Sequence, residues 1–214
     1  MCFLRYTNSN IPPHTDCTYF EEAPGLQIFH CISGSYSGGL TSLIDGFAVA
    51  SRMSAQHADA YAVLCNVRIP FRYIGDGYHL SNRCHVFTLD DAGHVVQFRY
   101  NNCDRAPLDA ATLALHPQAG APPVAGCVTY EHVYDALQKL HRVMDDPSMK
   151  VQFKLAPGKV PLPCAFLLAC PCLTAAPSRQ SSSTTGASFT RAPSSLAAAA
   201  FAERTCNRRS GWAA

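Results

Sequence analysis

Gly38-Gly39-Leu40-Thr41-Ser42-Leu43-Ile44-Asp45-Gly46-Phe47 packs a turn, a strand and a helix start into one short stretch. The turn Ser37-Gly38-Gly39 supplies the conformational freedom that lets the chain reverse. Thr41 to Ile44 reads as a strand. Asp45-Gly46 then opens a helix expected to run to about Leu64, with Asp45 as its N-cap. Upstream, Leu26-Gln27-Ile28-Phe29-His30-Cys31-Ile32 is a further strand candidate. Downstream, Val86-Phe87-Thr88-Leu89 and Val95-Val96-Gln97-Phe98-Arg99-Tyr100 flank Asp90-Asp91-Ala92-Gly93, a hairpin pattern. Val133, Ala136, Leu137, Leu140, Val143 and Met144 recur at helical spacing, with Thr129 placed to cap the start and Pro147 to stop the end. Val151 to Leu155 is a last strand, and Pro157-Gly158 turns the chain. The first 160 residues therefore read as mainly β with two helices.

Composition changes near Val160. Beyond it come Ser181-Ser182-Ser183-Thr184-Thr185, Ala197 to Ala200, scattered Pro and Arg, and a single acidic residue, Glu203. Such sequence is poor in core-forming residues and is expected to be disordered. The chain is thus divided into a domain over 1–160 and a low-complexity tail over 161–214. A length of 214 residues accommodates one domain with a core and a tail. The formal charge of +2 gives no electrostatic case for nucleic acid as a partner. No stretch is apolar for long enough to span a membrane, and Met1-Cys2-Phe3-Leu4-Arg5 leaves no room for a signal peptide. The eleven cysteines are an odd, scattered set, which reads as reduced thiols in an intracellular compartment, mitochondrial or cytoplasmic. Cys170 and Cys172 lack zinc-knuckle spacing, and no His follows position 141.

His14-Thr15-Asp16 is the chemically suggestive pair. On an extended segment, residues i and i+2 point to the same side. An imidazole and a carboxylate so placed can share one metal ion, and one distant His would complete a facial triad with positions left open for cosubstrate and O₂. Alone the motif is a weak signal, since a chain with nine His has a fair chance of one in a surface loop.

Tyr6-Thr7, His14-Thr15-Asp16, Pro24-Gly25-Leu26-Gln27-Ile28-Phe29-His30-Cys31 and Gly38 to Phe47 follow one another in a characteristic order. Phe98-Arg99-Tyr100-Asn101-Asn102-Cys103-Asp104-Arg105 and Phe153-Lys154-Leu155-Ala156-Pro157-Gly158-Lys159-Val160 continue it. Together these blocks resemble the γ-butyrobetaine and trimethyllysine hydroxylase family of TauD/TfdA-like dioxygenases. The resemblance implies a double-stranded β-helix (jelly-roll) fold, Fe(II) held by His14 and Asp16, 2-oxoglutarate as cosubstrate and ascorbate as helper. It implies a small trimethylammonium amino acid as substrate on the route to carnitine, and it allows a homodimer. Thr18-Tyr19-Phe20-Glu21-Glu22 and Arg99-Tyr100-Asn101-Asn102-x-Asp104-Arg105-Ala106 resemble the trimethyllysine branch, whereas Leu89-Asp90-Asp91-x-Gly93-x-Val95-Val96 resembles the butyrobetaine branch.

The same resemblance points to further site residues, each with a plainer alternative. Thr41 matches a hydroxyl that contacts 2-oxoglutarate, or it simply starts a strand. Tyr6 matches an aromatic that holds the trimethylammonium group by cation–π attraction, or it is core. Asn101 and Asn102 are candidates to hydrogen-bond substrate, or to shape a turn. The family pattern continues with Asn-Trp-Arg-x-x-His-Gly-Arg, which carries the third metal ligand, and with a following arginine for the 2-oxoglutarate carboxylate. Here Val160 is followed instead by Pro161-Leu162-Pro163-Cys164-Ala165-Phe166. The expected jelly roll is therefore incomplete at its C-terminal end. An altered reading frame, a splice variant or a tail with a new role would each produce such a change. Three functional readings follow: a hydroxylase, a non-catalytic relative that binds without chemistry, and a fragment that does not fold alone.

Overall fold

A computed structural model describes residues 11–24, 31 and 39–157. Tyr6, most of the 26–32 strand candidate, the Ser37-Gly38 turn and all of 161–214 lie outside the described residues.

The opening stretch folds as its sequence suggests. Leu40–Ile44 forms β1, and Asp45 then caps α1, Gly46–Gln56, by accepting from the amides of Phe47 at 2.8 Å and Ala48 at 3.3 Å. Two of the four donors that a helix start leaves unpaired are thereby satisfied. The helix does not continue to Leu64. It breaks at His57, whose backbone is non-helical, and α2 restarts over Ala58–Asn66. The reason lies in burial. In α1 only one side, Gly46, Val49, Ala50 and Met53, is buried, whereas α2 is buried continuously from Ala60 to Asn66. Exposed Ser54, Ala55 and Gln56 separate the two patterns, so the chain changes direction between them.

Two hairpins follow. Ile69–Gly75 (β2) and Tyr78–Cys84 (β3) pair in antiparallel register from Ile69 opposite Cys84 to Gly75 opposite Tyr78. Their two-residue turn is Asp76-Gly77, with φ of 52° and 79°. Those left-handed values match the twist of the flanking strands and suit Asp-Gly. Phe87–Leu89 (β4) and Val95–Phe98 (β5) form the second hairpin, with an irregularity between Thr88 and Leu89. The Asp90 carboxylate closes its turn by accepting from the amides of Ala92 and His94.

Helix α3, Tyr130–Asp145, buries Val133, Ala136, Leu137, Leu140, Val143 and Met144 along one face. Thr129 and His132 form a reciprocal capping box at its start. A turn at Pro147–Met149 leads into β6, Lys150–Lys154, which pairs antiparallel with β1 from Ile44 opposite Lys150 to Leu40 opposite Lys154. Among the described residues the strands thus make three two-stranded antiparallel sheets. The three helices pack together, α1 also meeting β5 and α2 meeting β4. Met53, Leu64, Phe87, Val133, Leu140 and Met144 form the centre of the resulting core. Phe98 stacks on Phe87 with ring centroids 5.3 Å apart, which anchors β5 to that core.

Candidate metal-binding loop

The segment that carries His14 and Asp16 is tied to the end of β5. The Thr15 amide donates to the Tyr100 carbonyl at 2.7 Å, and the Tyr100 amide donates to Thr15 Oγ1 at 2.9 Å. Thr15 therefore faces Tyr100, and its neighbours project to the other side, as extended backbone requires. There the two ligand candidates meet: His14 Nε2 lies 3.3 Å from Asp16 Oδ1, with the imidazole the less exposed of the two. Beyond Asp16 the chain turns sharply. Cys17 has φ of 57°, a conformation uncommon for a residue with a side chain, and the Phe20 amide closes the turn onto the Cys17 carbonyl at 3.1 Å.

His14 Nδ1 sits 2.8 Å from the Pro12 carbonyl. With Nδ1 donating to that carbonyl, Nε2 of the neutral imidazole turns a lone pair toward a carboxylate oxygen. Two acceptors face each other favourably only with a cation present, either a proton on Nε2 or a metal ion. The proton affinity reflects this. Burial works against a charged imidazole, but the hydrogen bond to Asp16, the Pro12 carbonyl and the charges of Asp16 and Asp104 outweigh it and leave the His14 pKa raised. A His whose second nitrogen is held by a carbonyl is also the usual form of a metal-ligating imidazole. The donor pair fits two protein positions of an Fe(II) site. Among the described residues no group of three His, Cys, Asp or Glu side chains gathers to hold a metal ion, so no third ligand is found there.

Asp104 stands beside this pair. Burial raises its pKa, a change opposed by His14 and reinforced by Asp16. Its Oδ2 accepts from Asn101 Nδ2 at 2.9 Å and from the hydroxyl of fully buried Thr18 at 3.4 Å. Its backbone runs along β2, where the Arg72 amide donates to the Asp104 carbonyl at 2.8 Å. Asn101 is buried and engaged within this turn, since its Oδ1 also accepts from the Cys103 amide. Asn102 is exposed and accepts from Arg105 Nε at 3.1 Å. Thr41 is buried on β1 opposite Phe153, in a different sheet from the strand that anchors the His14 loop.

Sequence reading passed over several residues that shape the loop. Arg99 is 4% exposed, and its guanidinium is hydrogen-bonded to the carbonyls of Cys17, Thr18, Phe20 and Glu21. Asn82 on β3 donates to the Phe20 carbonyl at 2.7 Å and to that of Thr18 at 3.3 Å. Cys65, Cys84 and Cys127 are free thiols, Cys65 buried and Cys127 exposed.

The family described as taurine catabolism dioxygenase TauD, TfdA matches residues 4–162. The chain belongs to this family. Among curated members, trimethyllysine dioxygenase of Meyerozyma guilliermondii is 29% identical over 161 residues, covering 72% of this chain and 36% of that protein. γ-Butyrobetaine dioxygenase of Homo sapiens is 28% identical over 161 residues, covering 73% of this chain and 38% of that protein. Mitochondrial trimethyllysine dioxygenase of Gallus gallus is 31% identical over 164 residues, covering 72% and 35% respectively. The chain thus spans 35% to 38% of the length of these relatives. The short antiparallel sheets and packed helices are compatible with a TauD-like fold. No helix among the described residues is long and apolar enough to cross a membrane.

Proposed function

We propose that residues 1–160 are a partial 2-oxoglutarate dioxygenase domain, part of a double-stranded β-helix, in which His14 and Asp16 hold Fe(II). The observation that carries this reading is the approach of His14 Nε2 to Asp16 Oδ1 at 3.3 Å, with Nδ1 held by Pro12. Together with 2-oxoglutarate and O₂, the iron supplies the oxidising power for hydroxylating an unactivated C–H bond, with ascorbate keeping it reduced. In this reading Thr41 serves the cosubstrate, and Tyr6, Asn101 and Asn102 serve the substrate. A trimethylammonium amino acid of the trimethyllysine type is favoured over γ-butyrobetaine by the run Arg99-Tyr100-Asn101-Asn102-x-Asp104-Arg105. The mitochondrial compartment comes with that branch, after the relative of Gallus gallus.

Turnover by this chain is not expected. It has no His after His141 to serve as the distal ligand, and no arginine beyond 160 in the family's sequence setting to pair with the 2-oxoglutarate carboxylate. A bidentate, charge-assisted partner of that kind is strong where present, so its loss weakens cosubstrate binding. The test is a titration of the full chain with Co(II) as a spectroscopic stand-in for Fe(II), paired with 2-oxoglutarate decarboxylation assays on trimethyllysine and on γ-butyrobetaine. Weak metal binding that disappears in His14→Ala and Asp16→Ala, without turnover, is the expected result. Equal metal binding by the wild type and both variants would sink the site assignment. Turnover on either substrate would overturn the expectation of inactivity.

A further inference from the structure

Arg99 follows β5 at the rim of the core, where a long cation is expensive to bury. Every partner of its guanidinium among the described residues is a main-chain carbonyl. Nη1 donates to Glu21 O at 3.0 Å, and Nη2 donates to Thr18 O at 3.0 Å, to Phe20 O, and to Cys17 O at 3.5 Å. Its Nε is buried and finds no partner among the described residues. None of these described partners is a carboxylate. The head group gathers the carbonyls of a turn that has little regular backbone pairing of its own. That turn begins immediately after Asp16 and contains the left-handed residue Cys17.

We propose that Arg99 is a positioning residue for the His14–Asp16 pair: its guanidinium clamps the carbonyls of Cys17 to Glu21 so that both ligand side chains are held on one face. The inference rests on the metal-site reading above. Two attachments then bracket the ligands. Thr15 is fixed to Tyr100 between them, and Arg99, the neighbour of Tyr100 in the chain, holds the turn behind them. A planar fork with several fixed donors can bridge carbonyls from four residues, which a lysine ammonium at a single point does less well. Asn82 shares the carbonyls of Thr18 and Phe20, and the Thr18 hydroxyl donates to Asp104, so the turn retains polar ties when Arg99 is replaced.

The experiment uses the full chain as wild type, Arg99→Gln and Arg99→Lys, with amide hydrogen exchange as the first readout and Co(II) titration as the second. In Arg99→Gln, peptides covering 14–22 should exchange faster while those of α3 keep their protection. Co(II) affinity should fall about tenfold to a hundredfold, the range usual for residues that orient a ligand without touching the metal. Arg99→Lys should restore part of both. Unchanged exchange over 14–22 in Arg99→Gln overturns the proposal. Loss of α3 protection in both variants also overturns it, because Arg99 would then support the whole fold rather than the loop. A wild type that binds no Co(II) defeats the metal-site reading instead, and exchange over 14–22 then decides the clamp alone.

Discussion

Thr15 and Tyr100, far apart in sequence, are locked by a reciprocal pair of hydrogen bonds: each amide donates to the other residue, one to a carbonyl and one to a hydroxyl. The threonine hydroxyl lies between the two ligand candidates in sequence and on the opposite side of the strand-like segment. It converts a free-standing loop into an extension of the hairpin's end. Removing that hydroxyl alone is informative because valine keeps the shape. Thr15→Val leaves the amide of Tyr100, a 3% exposed residue, without its acceptor. An orphaned buried donor costs about 1–3 kcal/mol. Urea denaturation of the variant should show a loss of that size, and an unchanged midpoint would contradict it.

Gly46 opens α1 against the ring of Phe98. A Cβ at Gly46 would lie 2.8 Å from Phe98 Cδ1. The ring is buried and stacked on Phe87, so moving it aside disturbs that stack. Gly46→Ala gains up to about 1 kcal/mol of helix propensity. Overpacking of a well-filled core costs about 1–3 kcal/mol. The balance should be destabilising, read as a lower melting temperature than the wild type. A higher one would mean that the contact relaxes freely.

His85 is buried, and its Nε2 lies 3.0 Å from the His116 carbonyl. Burial is the main cause that lowers its pKa, with the positive charges of Arg68 and His116 adding to it against the hydrogen bond to the His116 carbonyl. A lowered folded pKa means that the unfolded chain takes up the proton first as pH falls. The stabilisation is therefore fully present above the unfolded value of about 6.5 and is lost on acidification below it. Urea unfolding at about pH 7.5 and about pH 5.5 should show a smaller pH-dependent loss in His85→Gln than in the wild type. Equal losses would remove His85 as a source of acid sensitivity.

Local chemistry was the legible part of the fold. Asp45, Thr129 and the Asp90 turn act through groups two to four residues away, and the face of α3 follows from helical spacing alone. The β2–β3 hairpin escaped even though Asp76-Gly77 is a strong turn signal, because Arg72, His79, Ser81, Asn82 and Arg83 obscure the alternation of its strands. The break at His57 escaped because no Pro or Gly marks it and because the change from one buried side to continuous burial is a tertiary property. For the candidate site, the i, i+2 relation of His14 and Asp16 could be anticipated from backbone geometry. Arg99 could not. A charged residue at a strand end reads as solvent-facing, and only the folded chain shows a guanidinium buried under a turn from the other end of the described structure.

The pairing of β1 with β6 has a consequence for synthesis. Ile44 meets Lys150, so the chain between them must be made before the ladder can begin. At about 5–20 residues per second, translation leaves β1 waiting on the order of five to twenty seconds for β6, its strand partner among the described residues. Within that interval the helices and both hairpins can form from contacts that are local in sequence. The vulnerable species on the ribosome is therefore a nascent chain with much of its core assembled and with the side of Leu40 to Ile44 that β6 will cover still open to a neighbouring polysome's product.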